Sequence, residues 1–465
     1  MPDPTDLSAT ELLAAFRAHE LSPVDVTDAT LTRIEALDGP INAFVTVTAD
    51  RARSDARAAE RAYRDGTAGA IEGVPYSLKD LVSTHGIATG RGSLVWRDPA
   101  PTFDAPVAER LAAAGGVLLG KTTTPELGWK GDSGNRLNGP CHNPWQIGAT
   151  AGGSSGGTAA AAAARFGPLH QGSDGAGSIR IPASFCGVFG LKPTYGLIPQ
   201  VPPSAVETVS HLGPITRTVA DAALMLDVMA GADPRDRTSL DPSVASHLAA
   251  LDEPLPTLRI AYSPDLGYAR SEEPVARLVA DAATVFADLG HVLEVVELAL
   301  ADPWEIEDTI WTTAMAAVHR DRLAEVRGDL DPGLVRVIES GLGRSGADVA
   351  SAYQRRNGWV DGLRRQLEGF DLLVCPTLPC TAFPAGDDHP ATVAGAPTTY
   401  LGWTQFTYPF NLTGQPAATV PCGLVGGLPA GLQIVGPRFA DALVLRASAA
   451  FEAARPFARP NPASR

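Results

Sequence analysis

Apolar positions along this chain follow two spacings. Between residues 7 and 66 they recur three and four apart, the period of helices packed on one face. "SATELLAAF" opens with Ser8 and has Glu11 three residues on, a helix-capping pair. "SPVDVTDATLTRIEAL" places Pro23 in the first turn, where its missing N–H costs nothing. "GVPYSLKDLV" is a short apolar run bounded by Gly and Pro and reads as a buried strand. "DAPVAERLAAAG" then reads as a helix and "GVLLGKT" as a strand. The alternation resumes with "TLRIAYS", "EPVARLVADAATVFADLG" and "HVLEVVEL". Such alternation predicts an α/β chain with a sheet covered by helices.

Glycine is dense from 152 to 196, and residues 232–257, rich in Asp, Pro and Ser, read as a surface connection. Residues 300–370 are mainly helical, and 371–437 return to strands in "DLLVCPTLP", "AATVPCGL" and "AGLQIVGP". Strand-rich segments on both sides of the helical stretch predict one domain over 1–465, with a glycine- and serine-rich core at about 70–215 and a helical insertion at about 300–370.

Composition narrows the partners. The chain has 465 residues, with 37 basic and 52 acidic side chains and a formal charge of −15. That balance argues against nucleic acid or an anionic membrane as the main partner. The five cysteines, Cys141, Cys186, Cys375, Cys380 and Cys422, form no C-x-x-C pair, so no disulfide framework is expected. The N-terminus lacks a basic region followed by an apolar stretch, and "TAAAAAARF" is too short to span a bilayer. A cytoplasmic protein is expected.

Three short patterns could carry chemistry. "GGVLLGKT", residues 115–122, fits the phosphate-loop spacing, but its interior reads as a strand. "GGSSG", residues 152–156, fits the serine elbow of α/β-hydrolases. That elbow needs a later histidine, and His291, His319 and His389 have no telling context. The third pattern is dispersed: Lys79 at the end of an apolar run, Ser154 and Ser155 in "GGSSGG", and Ser178 in "GSDGAGSIR". A lysine with a lowered pKa can serve as base to a serine. The small residues Gly175, Ala176 and Gly177 would let backbone amides approach a substrate oxygen. The bland alternative pairs Lys79 with Asp80 or another carboxylate and leaves the glycines as turns.

The ordered motifs "GVPYSLKD", "GKTTTPELG", "NPW", "GGSSGG", "GSDGAGSIRIPASFCGVFGLKPTYG", "GPITRTVADAALML", "PFNLTGQPAATVPCG" and "GLPAGLQIVGP" resemble the amidase signature family, over roughly residues 8–455. The resemblance implies a single α/β/α sandwich around a mixed sheet. It implies a Ser–cis-Ser–Lys triad of Ser178 as nucleophile, Ser154 as bridge after a cis peptide, and Lys79 as base. It further implies an oxyanion hole from the amides of Gly175, Ala176, Gly177 and Ser178, and support from Ser155, Asp174 and Arg180. The reaction implied is amide hydrolysis through an acyl-enzyme, with no metal and no organic cofactor.

Two positions depart from the family's habit: Gly175-Ala176-Gly177 stands where Thr-Gly-Gly is frequent, and Ala151 where proline is frequent. Trp129, Trp311, Met315, Trp403 and Phe410 are candidates for an apolar substrate pocket suited to a small neutral aryl or alkyl amide, an ester or a carbamate. A monomer or homodimer is expected. Two other classes stand beside this one: the glutamine-hydrolysing subunit of a transfer-RNA amidotransferase, and a non-catalytic binding protein on the same fold. Against the first, "GLIPQVPPSAVETVSHLGPI" replaces an arginine-rich segment, and against the second, all three triad residues are present.

Overall fold

A computed structural model describes residues 3–457. The apolar runs form the strands expected of them: β2 is Pro75–Lys79 and β3 is Val117–Thr122. The helical segment before them hides one more strand, β1 at Phe44–Val47, between the helices Pro23–Ile41 and Ala49–Asp65. Its four-residue "FVTV" is too short for period-two patterning to stand out, and pairing with β3 at the sheet edge creates it.

The remaining strands of the main sheet are β4 (Leu169–Asp174), β5 (Phe189–Lys192), β6 (His211–Thr216), β7 (Arg259–Tyr262), β8 (Val292–Val295), β9 (Leu372–Pro376), β10 (Ala417–Val425) and β11 (Leu428–Val435). They make one 11-stranded sheet in the order β1-β3-β2-β4-β6-β5-β10-β11-β9-β7-β8. The sheet is mixed: β2 runs parallel to β3 and β4, whereas β4, β6, β5, β10 and β11 are joined by antiparallel pairings.

Helices cover both faces, and β3 shows why. Leu118 enters a core cluster with the helices Ala9–Arg17, Pro106–Ala113 and Val219–Met229, while Val117 and Leu119 enter the cluster built on Gly156–Ala163. The two-residue period of a strand forces this split. Each fully buried leucine contributes about 1.5–3 kcal/mol. Between residues 300 and 370 the chain is helical, with Trp304–His319, Pro332–Leu342 and Gly346–Gln366 as its long elements.

The phosphate-loop spacing at 115–122 is structural. Lys121 lies inside β3, fully buried, with Nζ donating to the Val82 carbonyl at 2.6 Å and lying 3.5 Å from Asp80 Oδ1. The backbone amides a phosphate would need are spent: those of Gly115 and Gly116 on the end of the preceding helix, and that of Val117 on the Val74 carbonyl. All five cysteines are free and buried. No described helix is long and apolar enough to cross a membrane.

Candidate active site

β2 carries Lys79 to its C-terminal end, where the apolar pattern buries it completely. Its amine lies 2.6 Å from Ser154 Oγ and 2.9 Å from Ser173 Oγ, both within hydrogen-bond reach. Burial pushes the amine down to about 7, and the charge of Asp174 works weakly against that shift. Lys79 does not pair with Asp80. That carboxylate instead accepts the Gly90 amide at 2.8 Å and the Arg91 amide at 3.1 Å, and faces Lys121.

Ser154 sits in the loop before the helix Gly156–Ala163, and the Gly153–Ser154 peptide is cis. The loop is clamped by Ser133, whose hydroxyl donates to the carbonyl of Gly152 at 2.9 Å and accepts the Gly156 amide at 2.8 Å. Gly153 has to be glycine, because a Cβ there would come within 2.7 Å of the Asp132 backbone. The strand before this loop, Gln146–Thr150, pairs with the two-residue strand His142–Asn143 and bridges Pro384 at Ala149, and lies outside the main sheet. That is not the buried strand a hydrolase elbow requires, and none of His291, His319 and His389 lines the cavity described below.

Asp174 ends β4 and organises the loop that carries Ser178. Its carboxylate accepts the amides of Gly177 at 2.7 Å and Ile179 at 3.1 Å. Arg180 grips the same carboxylate in a fork, Nε to Oδ2 at 3.0 Å and Nη2 to Oδ1 at 2.9 Å. Burial alone would raise this carboxyl, but the guanidinium holds it well below the usual carboxylate range. Arg180 is anchored in turn by the Thr407 carbonyl, Gln433 and Asn411. Ser155 ties the two loops together: its amide donates to the Ser178 carbonyl at 3.1 Å, and its hydroxyl donates to the Ser173 carbonyl at 3.1 Å.

Of the four amides expected around a substrate oxygen, that of Gly177 is committed to Asp174. The amides of Gly175, Ala176 and Ser178 have no hydrogen-bond partner among the described residues. The methyl group of Ala176 packs into a core cluster with Val206 and Trp311.

Lys79, Ser154 and Ser178 line one narrow cavity of about 70 Å³. Its walls mix apolar side chains, Val82, Ala105, Val107, Val201, Val206 and Leu212 among them, with serine and glutamine. Of the five expected pocket residues, only Trp311 lines it, its ring against Gly175. Trp129 and Met315 are held in the cluster beneath Trp311, Trp403 stacks on Phe185, and Phe410 sits in the core near β9. Big aromatic side chains bury a great deal of area, so the core claims them first. Ser133 and Ser173 escaped the sequence reading because a single serine carries no pattern of its own. The one available signal for Ser173 was its place beside Asp174 in the glycine-rich run.

Among the described residues no group of three His, Cys, Asp or Glu could hold a metal ion. A family model described as Amidase matches residues 25–445. The chain is 41% identical to an acylamidase of Rhodococcus erythropolis, covering 98% of this chain and 97% of that protein. It is 36% identical to one component of the glutamyl-tRNA(Gln) amidotransferase of Moorella thermoacetica, covering 98% of each. A solved bacterial aryl acylamidase of the amidase signature enzymes superposes with a TM-score of 0.93 at 32% identity, covering 99% of both chains. The chain belongs to the amidase family and is an amide-hydrolysing enzyme.

Proposed function

We propose that the enzyme hydrolyses small neutral aryl or alkyl amides through an acyl-enzyme on Ser178. The observation that carries this reading is the fully buried Lys79 amine, 2.6 Å from Ser154 Oγ, in the cavity that Ser178 also lines. Neutral Lys79 takes the Ser154 hydroxyl proton as Ser154 takes that of Ser178. Ser178 Oγ then attacks the carbonyl carbon. The developing oxyanion is received by open amides among Gly175, Ala176 and Ser178, and preorganised amides of this kind supply several kcal/mol, roughly 3–4 for a single donor. The C–N bond breaks as the proton returns from Lys79 through Ser154 to the leaving nitrogen. Water repeats the sequence on the ester and frees the acid. Ser155, Asp174 and Arg180 hold the two loops in place and touch no reacting atom. The chain works as one catalytic unit, with its sheet and helices built around this cavity.

The substrate class follows from the walls. Lys79 is the one charged side chain among the residues that line the cavity. Free glutamine brings an ammonium and a carboxylate, and no carboxylate or guanidinium on these walls would pair with them. The likeness to amidotransferase components nevertheless makes glutamine the substrate to exclude by experiment. Purified single chain is offered acetanilide, a short alkyl amide, a phenyl carbamate and glutamine. Turnover of the neutral amides with glutamine inert is the expected result. Glutamine turnover at a higher kcat/KM than any neutral amide would reverse the assignment.

A further inference from the structure

The cavity wall has one polar corner that catalysis does not use, formed by Gln200, Ser204 and Ser210. Gln171 and Ser173 are spoken for, whereas the buried Trp311 Nε1 is a further donor without a partner among the described residues. Gln171 Nε2 donates to the Gly172 carbonyl at 2.6 Å and its Oε1 accepts the Lys79 amide at 3.3 Å, while Ser173 Oγ meets Lys79.

Gln200 is held at both ends. Its backbone amide donates to Asp236 Oδ2 at 2.9 Å, and Asp236 is itself fixed by the amide and hydroxyl of Thr238 at 2.8 and 2.7 Å. At its tip, Ser210 Oγ donates to Gln200 Oε1 at 2.9 Å. That contact uses the acceptor of the side-chain amide and leaves Nε2 without a partner among the described residues. Ser204 Oγ accepts the Val206 amide at 3.3 Å, so its own O–H is a second donor beside Nε2. The free capacity of this corner is therefore to donate.

We propose that Gln200 determines specificity, its Nε2 donating a hydrogen bond to an uncharged acceptor atom at the far end of an otherwise apolar amide. An ether, ketone or nitro oxygen meets the description. A carboxylate suits the corner less well, because Asp236 holds its charge against the Gln200 backbone amide in the small polar hollow that shares Gln200, Ser204 and Ser210 with the cavity, while the Glu207 charge there is answered by Arg237. This inference rests on the reading that the amide occupies the cavity of Lys79, Ser154 and Ser178. A site built to hydrogen-bond its substrate discriminates against an analogue that leaves the site's polar group unpaired.

The test uses two pairs of anilides matched in size. In one pair a methylene of the acyl chain is replaced by an ether oxygen, and in the other a methylene of a ring substituent is replaced in the same way. The parent enzyme should favour the ether member of one pair by about 5- to 10-fold in kcat/KM, carried mainly by KM. Gln200→Leu should bring that ratio to about 1. Gln200→Glu keeps a partner for Ser210 but removes the donor, and should bring it to 1 or below. Ser210→Ala frees the Gln200 amide to rotate and should lower the ratio part of the way. Melting temperatures close to the parent's show that the variants are folded, and the ratio within one variant cancels any loss of active protein. Equal rates within both pairs for the parent would overturn the proposal, as would a preference that survives Gln200→Leu or Gln200→Glu. Failure of the parent to cleave any of the four anilides would instead overturn the reading of the cavity, and the role of Gln200 with it.

Discussion

Replacing Lys79 by alanine should remove both the base and the pH dependence it imposes. An ordinary lysine with a pKa of 10.4 is neutral in about 4 molecules per 10,000 at pH 7. Burial brings Lys79 to about 7, so about half of the enzyme carries a free amine at that pH. The gain in usable base is about 10³-fold. The sign is fixed by the chemistry: the neutral amine accepts the proton, so kcat/KM should rise about tenfold per pH unit below 7 and level off above it. Lys79→Ala should cost on the order of 10³-fold in kcat/KM, within the range for general-base catalysis, and leave a residue supplied by the open amides. Ser154→Ala should cost a comparable or smaller factor. The double variant should be no worse than the poorer single one if, as proposed, both residues serve one proton path. The assay is kcat/KM against pH from 5 to 9 on one activated aryl amide, for the parent and all three variants. If Lys79→Ala kept near-parent activity with the same rise through neutral pH, Lys79 would be structural and the proton path would have to be redrawn.

Further outcomes follow from the same contacts. Stability of the parent relative to Lys79→Met should increase from about pH 7 towards pH 10, because over that window the unfolded chain binds a proton that the buried amine does not. Chemical denaturation at several pH values measures this, and a difference that stays flat would mean Lys79 is not buried as described. Asp174→Asn should destabilise by about 3–5 kcal/mol, since it leaves the buried Arg180 guanidinium without its counter-charge. Because the folded carboxyl lies below its unfolded value, that loss should be fully present above about pH 4 and shrink at lower pH. Gly128→Ala should cost at least tenfold in kcat, since at φ +76° its Cβ would lie 3.1 Å from Ser154 Oγ. Parent-like kinetics for that variant would show that the contact relaxes freely. Treatment with a chelator should leave the rate unchanged, and full loss would mean that a metal takes part.

The motif residues carry a signal in the sequence that the cavity walls do not. Lys79, Ser154 and Ser178 stand in glycine- and serine-rich runs whose order along the chain is itself distinctive, and these runs fold against one another at the ends of β2 and β4. Asp174 and Arg180 stand in the same runs, although the amides that Asp174 gathers have no signal in the sequence. Gly177 looked like an oxyanion donor by adjacency, yet its N–H turns inward to Asp174. Much of the pocket wall comes from residues 81–82, 105–107 and 200–212, distant in sequence and drawn from loops, the start of the helix Pro106–Ala113 and the start of β6, so no single period marks them. Val201, Val206 and Leu212 are ordinary apolar residues until the chain closes around Ser178. Large apolar side chains stand out in the sequence instead, but Trp129, Met315, Trp403 and Phe410 lie in the core away from the cavity. The eleven-stranded sheet was foreseeable as a covered mixed sheet, but β1 was lost between two strong helices and emerged only through its pairing with β3.

The nucleophile is the point on which everything else depends. The parent enzyme should be incubated with a fluorophosphonate, digested, and the modified peptide sequenced by mass spectrometry. A single adduct on Ser178, formed in step with loss of amidase activity and absent in Ser178→Ala, is the predicted result. An adduct on Ser154 or Ser155 that forms at the same rate in Ser178→Ala would contradict it.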